Sequence, residues 1–266
     1  MPGAEVAGIV RSAPSDSGLT AGQRVVAFPG AGGYAETVAA PPTAVFPLPD
    51  NVSFDVGAAL PMNCLTMHFG LVRRARLKPG ETVLVHGAAG GVGTAAVQLA
   101  TALDAKVIAV VSEPGKIDTA KAAGADEVVV ADAFEDAVRE LTGDRGVDIV
   151  VDPVGAGRVS GSVRVLAREG RLLVIGSVGG DVAQVKVDSL MRNNLHVSGV
   201  GWGAFWSEEP SYPQEQWAAL LPLLRADRLQ PVMGRRFPLE QASQASQALL
   251  ELDQRRAQGR VLLDVR

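Results

Sequence analysis

From Glu81 to Val200 the chain alternates continuous apolar runs with segments of helical spacing. Thr82-Val83-Leu84-Val85-His86 is the first such run, and a glycine-rich turn follows it, with helical spacing over 93–103. The same alternation predicts further strands at 106–111, 127–130, 147–151, 171–175 and 196–200. Helices are predicted between them at 114–123, 134–142, 158–167 and 187–193. Strands that are apolar on both faces and alternate with helices indicate a parallel sheet covered on both sides. Six of them at this spacing fit two mononucleotide-binding halves of a doubly wound α/β fold.

The flanking segments read differently. Residues 1–50 carry short apolar runs between glycines and prolines, at 6–10, 24–28, 34–39 and 45–48, which predicts an irregular β region. Asp50-Asn51-Val52-Ser53 supplies capping residues for a short helix over 54–60, which Pro61 is expected to break. A longer helix is expected over 63–76. Residues 202–212 read as a loop rich in aromatic and acidic residues. Amphipathic helices are predicted at 214–225 and 241–256, and a last strand at 261–265. The tail is expected to pack back on the first β region. The domains are then 1–61 with 203–266, and 62–202 inserted between them.

Composition narrows the chemistry. The 266 residues contain a single cysteine, Cys64, and three histidines. One cysteine cannot form an intramolecular disulfide or a Cys₂His₂ or Cys₄ zinc site. A net charge of −4 gives no sequence-wide basic surface for nucleic acid. Mean hydropathy is positive, at +0.17, yet no apolar run approaches the roughly 20 residues that span a bilayer. The first ten residues show no basic segment leading into an apolar block, so no signal peptide is expected. A cytoplasmic protein in a reducing compartment is the expectation.

The sharpest motif is His86-Gly87-Ala88-Ala89-Gly90-Gly91-Val92-Gly93-Thr94, set between a predicted strand and a predicted helix. In the frame G-x-G-x-x-G, Ala88 replaces the first glycine. Gly90 allows close approach of a pyrophosphate, Gly93 allows close packing of helix on strand, and the helix N-terminus attracts the phosphates. The second strand ends at Ser112 rather than at an acid, with Lys116 four residues on. A hydroxyl and an ammonium suit a ribose 2′-phosphate, which favours NADP over NAD. Glu113 argues the other way, and Ser112 as a helix cap with Lys116 as a surface charge is the competing interpretation.

Several stretches together resemble the zinc-independent quinone oxidoreductase branch of the medium-chain dehydrogenase/reductase superfamily. They are Pro2-Gly3-Ala4-Glu5-Val6-Ala7-Gly8-Ile9-Val10, Ala21-Gly22-Gln23-Arg24-Val25-Val26, Gly33-Tyr34-Ala35-Glu36, and Leu77 to Val85 with the turn. Gly124-Ala125-Asp126, Gly146 to Gly155 and Gly170-Arg171-Leu172 complete the set. The resemblance implies a Rossmann cofactor domain plus a discontinuous, GroES-like, β-rich catalytic domain that lacks about sixty N-terminal residues relative to the family. It implies NADPH as cofactor, no zinc, a small-molecule quinone or enone as acceptor, and a homodimer. Neither nucleic acid nor membrane is an expected partner.

Carried over by position, Asn63 and Thr66 fall near the nicotinamide. Ala89, Gly90, Gly91, Val92 and Gly93 form the pyrophosphate turn, and Ser112 and Lys116 the 2′-phosphate site. Val154 and Gly155 lie on the loop after the fourth strand, Gly176 and Ser177 on that after the fifth. Many relatives carry a tyrosine after the third strand, where this chain has Val130-Ala131-Asp132. No residue stands out as a proton donor. His68, His86, His196 and Cys64 all have ordinary packing roles open to them. Trp202, Phe205 and Trp206 either line an apolar substrate cleft or pack internally. Two alternatives remain open, an enoyl-thioester reductase and an NADPH-binding protein with little turnover. An exposed sixth strand could pair with its mate across a two-fold axis.

Overall fold

The computed structural model describes residues 2–176, 184–241 and 258–265. The chain divides into two compact units, Met1–Leu65 with Gly203–Arg266, and Thr66–Trp202. In the first unit β1 (Val6–Ile9) pairs antiparallel with β2 (Arg24–Ala27), and β2 pairs antiparallel with β3 (Val45–Pro47). The apolar run at 34–39 is not a strand. There the chain folds back on its start, with Gly33 N–H on Gly3 O at 2.7 Å and Tyr34 N–H on Pro2 O at 3.3 Å. The helix Phe54–Ala58 is capped by Ser53, whose hydroxyl accepts from Val56 N–H.

Pro61 opens a helix rather than only ending one. Its missing N–H is harmless in the first turn, and the helix Pro61–His68 runs on into wider π-type turns over Phe69–Arg74.

The second unit is a six-stranded parallel sheet. Its strands are β4 (Thr82–His86), β5 (Lys106–Val111), β6 (Glu127–Val130), β7 (Val147–Asp152), β8 (Leu166–Val174) and β9 (His196–Gly199). The order β6-β5-β4-β7-β8-β9 is the doubly wound arrangement, with the switch point beside β4. The central strands carry apolar residues on both faces because both faces are covered, and Val83, Leu84, Val85, Val107, Ile108 and Val150 are wholly buried. On one face Leu84, Ile108, Val110 and Leu172 pack with Phe134, Val138 and Val163 from the helices Phe134–Thr142 and Val159–Val165. The helix predicted to reach residue 167 stops at Val165. Leu166 turns extended and pairs with Val147 before a register shift, so the apolar Val-Leu-Ala sequence starts β8 instead.

The remainder of the chain holds two features that sequence patterning did not show. Residues 202–212 are largely helical, over Trp202–Glu208. β10 (Met233–Pro238) runs parallel to β11 (Arg260–Asp264). The helix Tyr212–Arg225 packs on the first sheet. Trp217 stacks on Phe46 at 5.2 Å and donates its indole N–H to Pro47 O at 2.8 Å, while Gln214 donates to Val45 O. The helix expected at 241–256 lies outside the described residues.

Candidate functional site

The glycine turn grows from the buried end of β4. Gly87 takes a left-handed conformation, φ +58°, which ends the strand. Ala88 N–H then bonds Val110 O of β5, and Gly90 N–H bonds Gly87 O. Gly90 caps the helix Gly91–Ala102 in extended conformation, and Thr94 secures that first turn with its N–H and hydroxyl both on Gly90 O. The two later glycines differ. A Cβ on Gly93 would stand 2.1 Å from Gly87 O and 2.7 Å from the Ala88 Cα, so only glycine lets this helix sit on this turn. A Cβ on Gly90 would meet nothing closer than Gly87 O at 3.4 Å. Packing therefore does not require glycine there, whereas close approach of a ligand to the backbone does.

Two further loops meet the turn. Asp152, at the end of β7, is wholly buried, and its Oδ1 accepts from Val154 N–H at 2.8 Å and Gly155 N–H at 2.9 Å. Its Oδ2 is buried and has no hydrogen-bond partner among the described residues. Burial raises the Asp152 carboxyl above its ordinary range, against the opposing pull of the two N–H groups and the Arg158 charge. The bonds curl the chain so that Val154 comes within 3.4 Å of where a Gly87 Cβ would be, and a Cβ on Gly176, after β8, would lie 3.6 Å from Pro153 O. The loops after β4, β7 and β8 thus converge at the carboxyl ends of the strands. Ser177 lies outside the described residues.

On the other side of β4, the rim of β5 carries Ser112 and Lys116. Lys116 is buried, not a solvated surface charge. Its ammonium donates to Ser112 Oγ at 3.1 Å and pairs with Glu113 Oε1 at 3.1 Å. Beneath the turn His86 is buried with Nε2 2.9 Å from Ser162 Oγ, edge-on to Phe134. The Ser162 hydroxyl donates to Arg158 O, so His86 Nε2 is the donor to Ser162. Burial first, and then the Arg158 charge, lowers His86 to about 3, which keeps it a neutral structural group.

The other expected residues are distributed between the units. Asn63 is buried and Thr66 half-buried on the helix Pro61–His68, Asn63 in the first unit and Thr66 in the second. Trp202 is buried in the second unit. In the first, Phe205 meets Tyr212 edge-on at 5.0 Å and Trp206 meets Phe28 at 5.2 Å, so both have packing partners. Cys64 is buried, its thiol pushed up to about 12 by burial and the Glu5 charge. Among the described residues no three of His, Cys, Asp and Glu form a group that could hold a metal ion, and no helix is long and apolar enough to cross a membrane. The sequence patterning passed over Asp152 and Ser162. The only available signal was the acid at the end of an apolar run followed by Pro153-Val154-Gly155.

Residues 91–226 match the family described as zinc-binding dehydrogenase. The chain is 35% identical over 269 residues to quinone oxidoreductase-like protein 2 of Bos taurus, covering 100% of this chain and 76% of that protein. A probable oxidoreductase from Mycobacterium abscessus superposes with a TM-score of 0.87 at 43% identity, covering 98% of this chain and 79% of that one. The quinone oxidoreductase of Thermus thermophilus, also solved as its complex with NADPH, gives a TM-score of 0.81 at 36% identity over 97% of this chain and 79% of that one.

Proposed function

The chain belongs to the zinc-independent quinone oxidoreductase branch of the medium-chain dehydrogenase/reductase superfamily, and on that premise we propose that it binds NADPH and reduces a quinone or an activated alkene. The observation that carries this is the contrast between Gly93, required by packing, and Gly90, whose missing side chain leaves the helix N-terminus open. When bound, NADPH supplies the hydride from C4 of its nicotinamide. The chain's own residues hold and orient. The backbone of Ala89, Gly90, Gly91 and Val92 receives the pyrophosphate at the positive end of the helix. Lys116 and Ser112 take the 2′-phosphate. The Val154-Gly155 loop, set by Asp152, and Gly176 form the wall at the strand ends, with Asn63 and Thr66 assigned to the nicotinamide.

Orientation accounts for most of the catalysis in this scheme, and solvent protonates the reduced quinone oxygens. A zinc-free reaction belongs to the proposal, since the chain has a single cysteine and so lacks the thiol set of a Cys-rich zinc site. A cytoplasmic homodimer pairing through β9 belongs to the same proposal. Val197 on that edge and Val187 and Met191 beside it are exposed. The test is a fluorescence titration with NADPH, then assays with quinones, enones and an enoyl thioester. Quinone- or enone-dependent oxidation of NADPH is expected. Tight binding with no oxidation by any acceptor refutes the enzyme, and turnover of the thioester alone moves the assignment to an enoyl reductase.

A further inference from the structure

The rim of β5 holds a charge arrangement of its own. Lys116 is anchored, its side chain only 10% exposed, between the Ser112 hydroxyl and the Glu113 carboxylate. The Glu113 side chain, by contrast, is 59% exposed. The ammonium is therefore the fixed member of the pair, and the carboxylate is the member free to turn into solvent. Ser112 follows β5 directly, and β5 is bonded to the glycine turn through Val110 O. The pair thus sits one strand from the pyrophosphate turn, where the adenosine ribose of a dinucleotide lies in a doubly wound fold.

A phosphate arriving at Lys116 and Ser112 meets a cation already neutralised by Glu113. It must share the ammonium with a like charge or displace it. A ribose carrying only hydroxyls meets a carboxylate acceptor instead, the group that binds the 2′-OH in NAD-type sites. We propose that Glu113 is a coenzyme-specificity residue. It weakens the hold of Lys116 on a 2′-phosphate and accepts from an unphosphorylated ribose, so the chain binds both NADPH and NADH with a narrowed preference. This rests on the assignment of Lys116 and Ser112 to the ribose made above.

The experiment is calorimetric titration of the full chain with NADPH, NADH, 2′,5′-ADP and 5′-AMP, for the wild type, Glu113→Gln and Lys116→Met. Thermal melts check that each variant is folded. Glu113→Gln is expected to raise the ratio Kd(NADH)/Kd(NADPH) about fivefold, the upper range for a partly exposed charge pair. The same change is expected between 5′-AMP and 2′,5′-ADP. Lys116→Met is expected to lower that ratio by about tenfold. A ratio unchanged by Glu113→Gln, or lowered by it, overturns the inference while leaving dinucleotide binding intact. Failure of the folded wild type to bind either coenzyme overturns the functional assignment and this inference with it.

Discussion

Gly93 and the carbonyl oxygen of Gly87 leave no room for a methyl group between them, because a Cβ on Gly93 would lie 2.1 Å from that oxygen. Backbone cannot yield as a flexible side chain can. Gly93→Ala is expected to cost about 2–3 kcal/mol of stability through overpacking, read from urea unfolding, and to abolish dinucleotide binding. Gly90→Ala faces only an ordinary contact. Its unfolding curve is expected to match the wild type within about 0.5 kcal/mol, while NADPH binding weakens markedly. Equal losses of stability in both variants would contradict the assignment of Gly90 to the ligand.

Asp152 contributes to stability in a direction unusual for a carboxylate. Its folded-state pKa lies above the ordinary value, with burial as the leading cause. The native state therefore favours the protonated acid, and this contribution is full at low pH and is lost as pH rises through the folded pKa. Replacing it with Asn keeps an acceptor for Val154 and Gly155 and removes the buried charge. The stability of Asp152→Asn relative to wild type is expected to improve between pH 4 and pH 7, measured by urea unfolding at each pH. Asp152→Ala strands both N–H groups and is expected to be about 1–3 kcal/mol less stable than Asp152→Asn at every pH.

His86 acts oppositely. Its pKa is lowered from 6.5 to about 3, so its contribution is present above 6.5 and drains away as pH falls toward 3, because the unfolded chain binds a proton that the native one refuses. A His86→Gln variant is expected to lose less stability than wild type between pH 6.5 and pH 4. The His86 imidazole resonance should stay in its neutral position throughout that interval. Titration near pH 6 would refute the buried Ser162 bond.

Glu5 joins two distant parts of the first unit. Its Oε1 accepts from Met62 N–H at 2.7 Å, and its Oε2 pairs with Arg260. The carboxylate side chain is only 9% exposed. Arg260→Met leaves that charge without its partner and is expected to cost about 3 kcal/mol. Glu5→Gln combined with Arg260→Met should cost less than the sum of the two single changes, as a double-mutant cycle in urea would show.

The parallel sheet was legible because strands covered on both faces are written as continuous apolar runs, as in Val107-Ile108-Ala109-Val110-Val111. The glycine turn was legible because Gly93 answers to a local steric demand. β10 was not, since Arg235 and Arg236 interrupt its apolar pattern. The helix Trp202–Glu208 was hidden by aromatic residues whose partners, Phe28 and Tyr212, only the fold reveals. Asp152 was missed because its work is done on backbone N–H groups. Ser162 was missed because its partner His86 lies 76 positions away in sequence. The burial of Lys116 likewise depends on tertiary placement.

The bond from the Trp217 indole to Pro47 spans 170 positions of chain, and the whole of the Thr66–Trp202 unit is threaded between its ends. Closing so long a loop carries a large entropic cost and slows folding. The strands of the inserted sheet all lie within the continuous Thr66–Trp202 segment, so it can pair them before the flanking segments meet. During synthesis Phe46 therefore waits for its stacking partner until Trp217 has emerged.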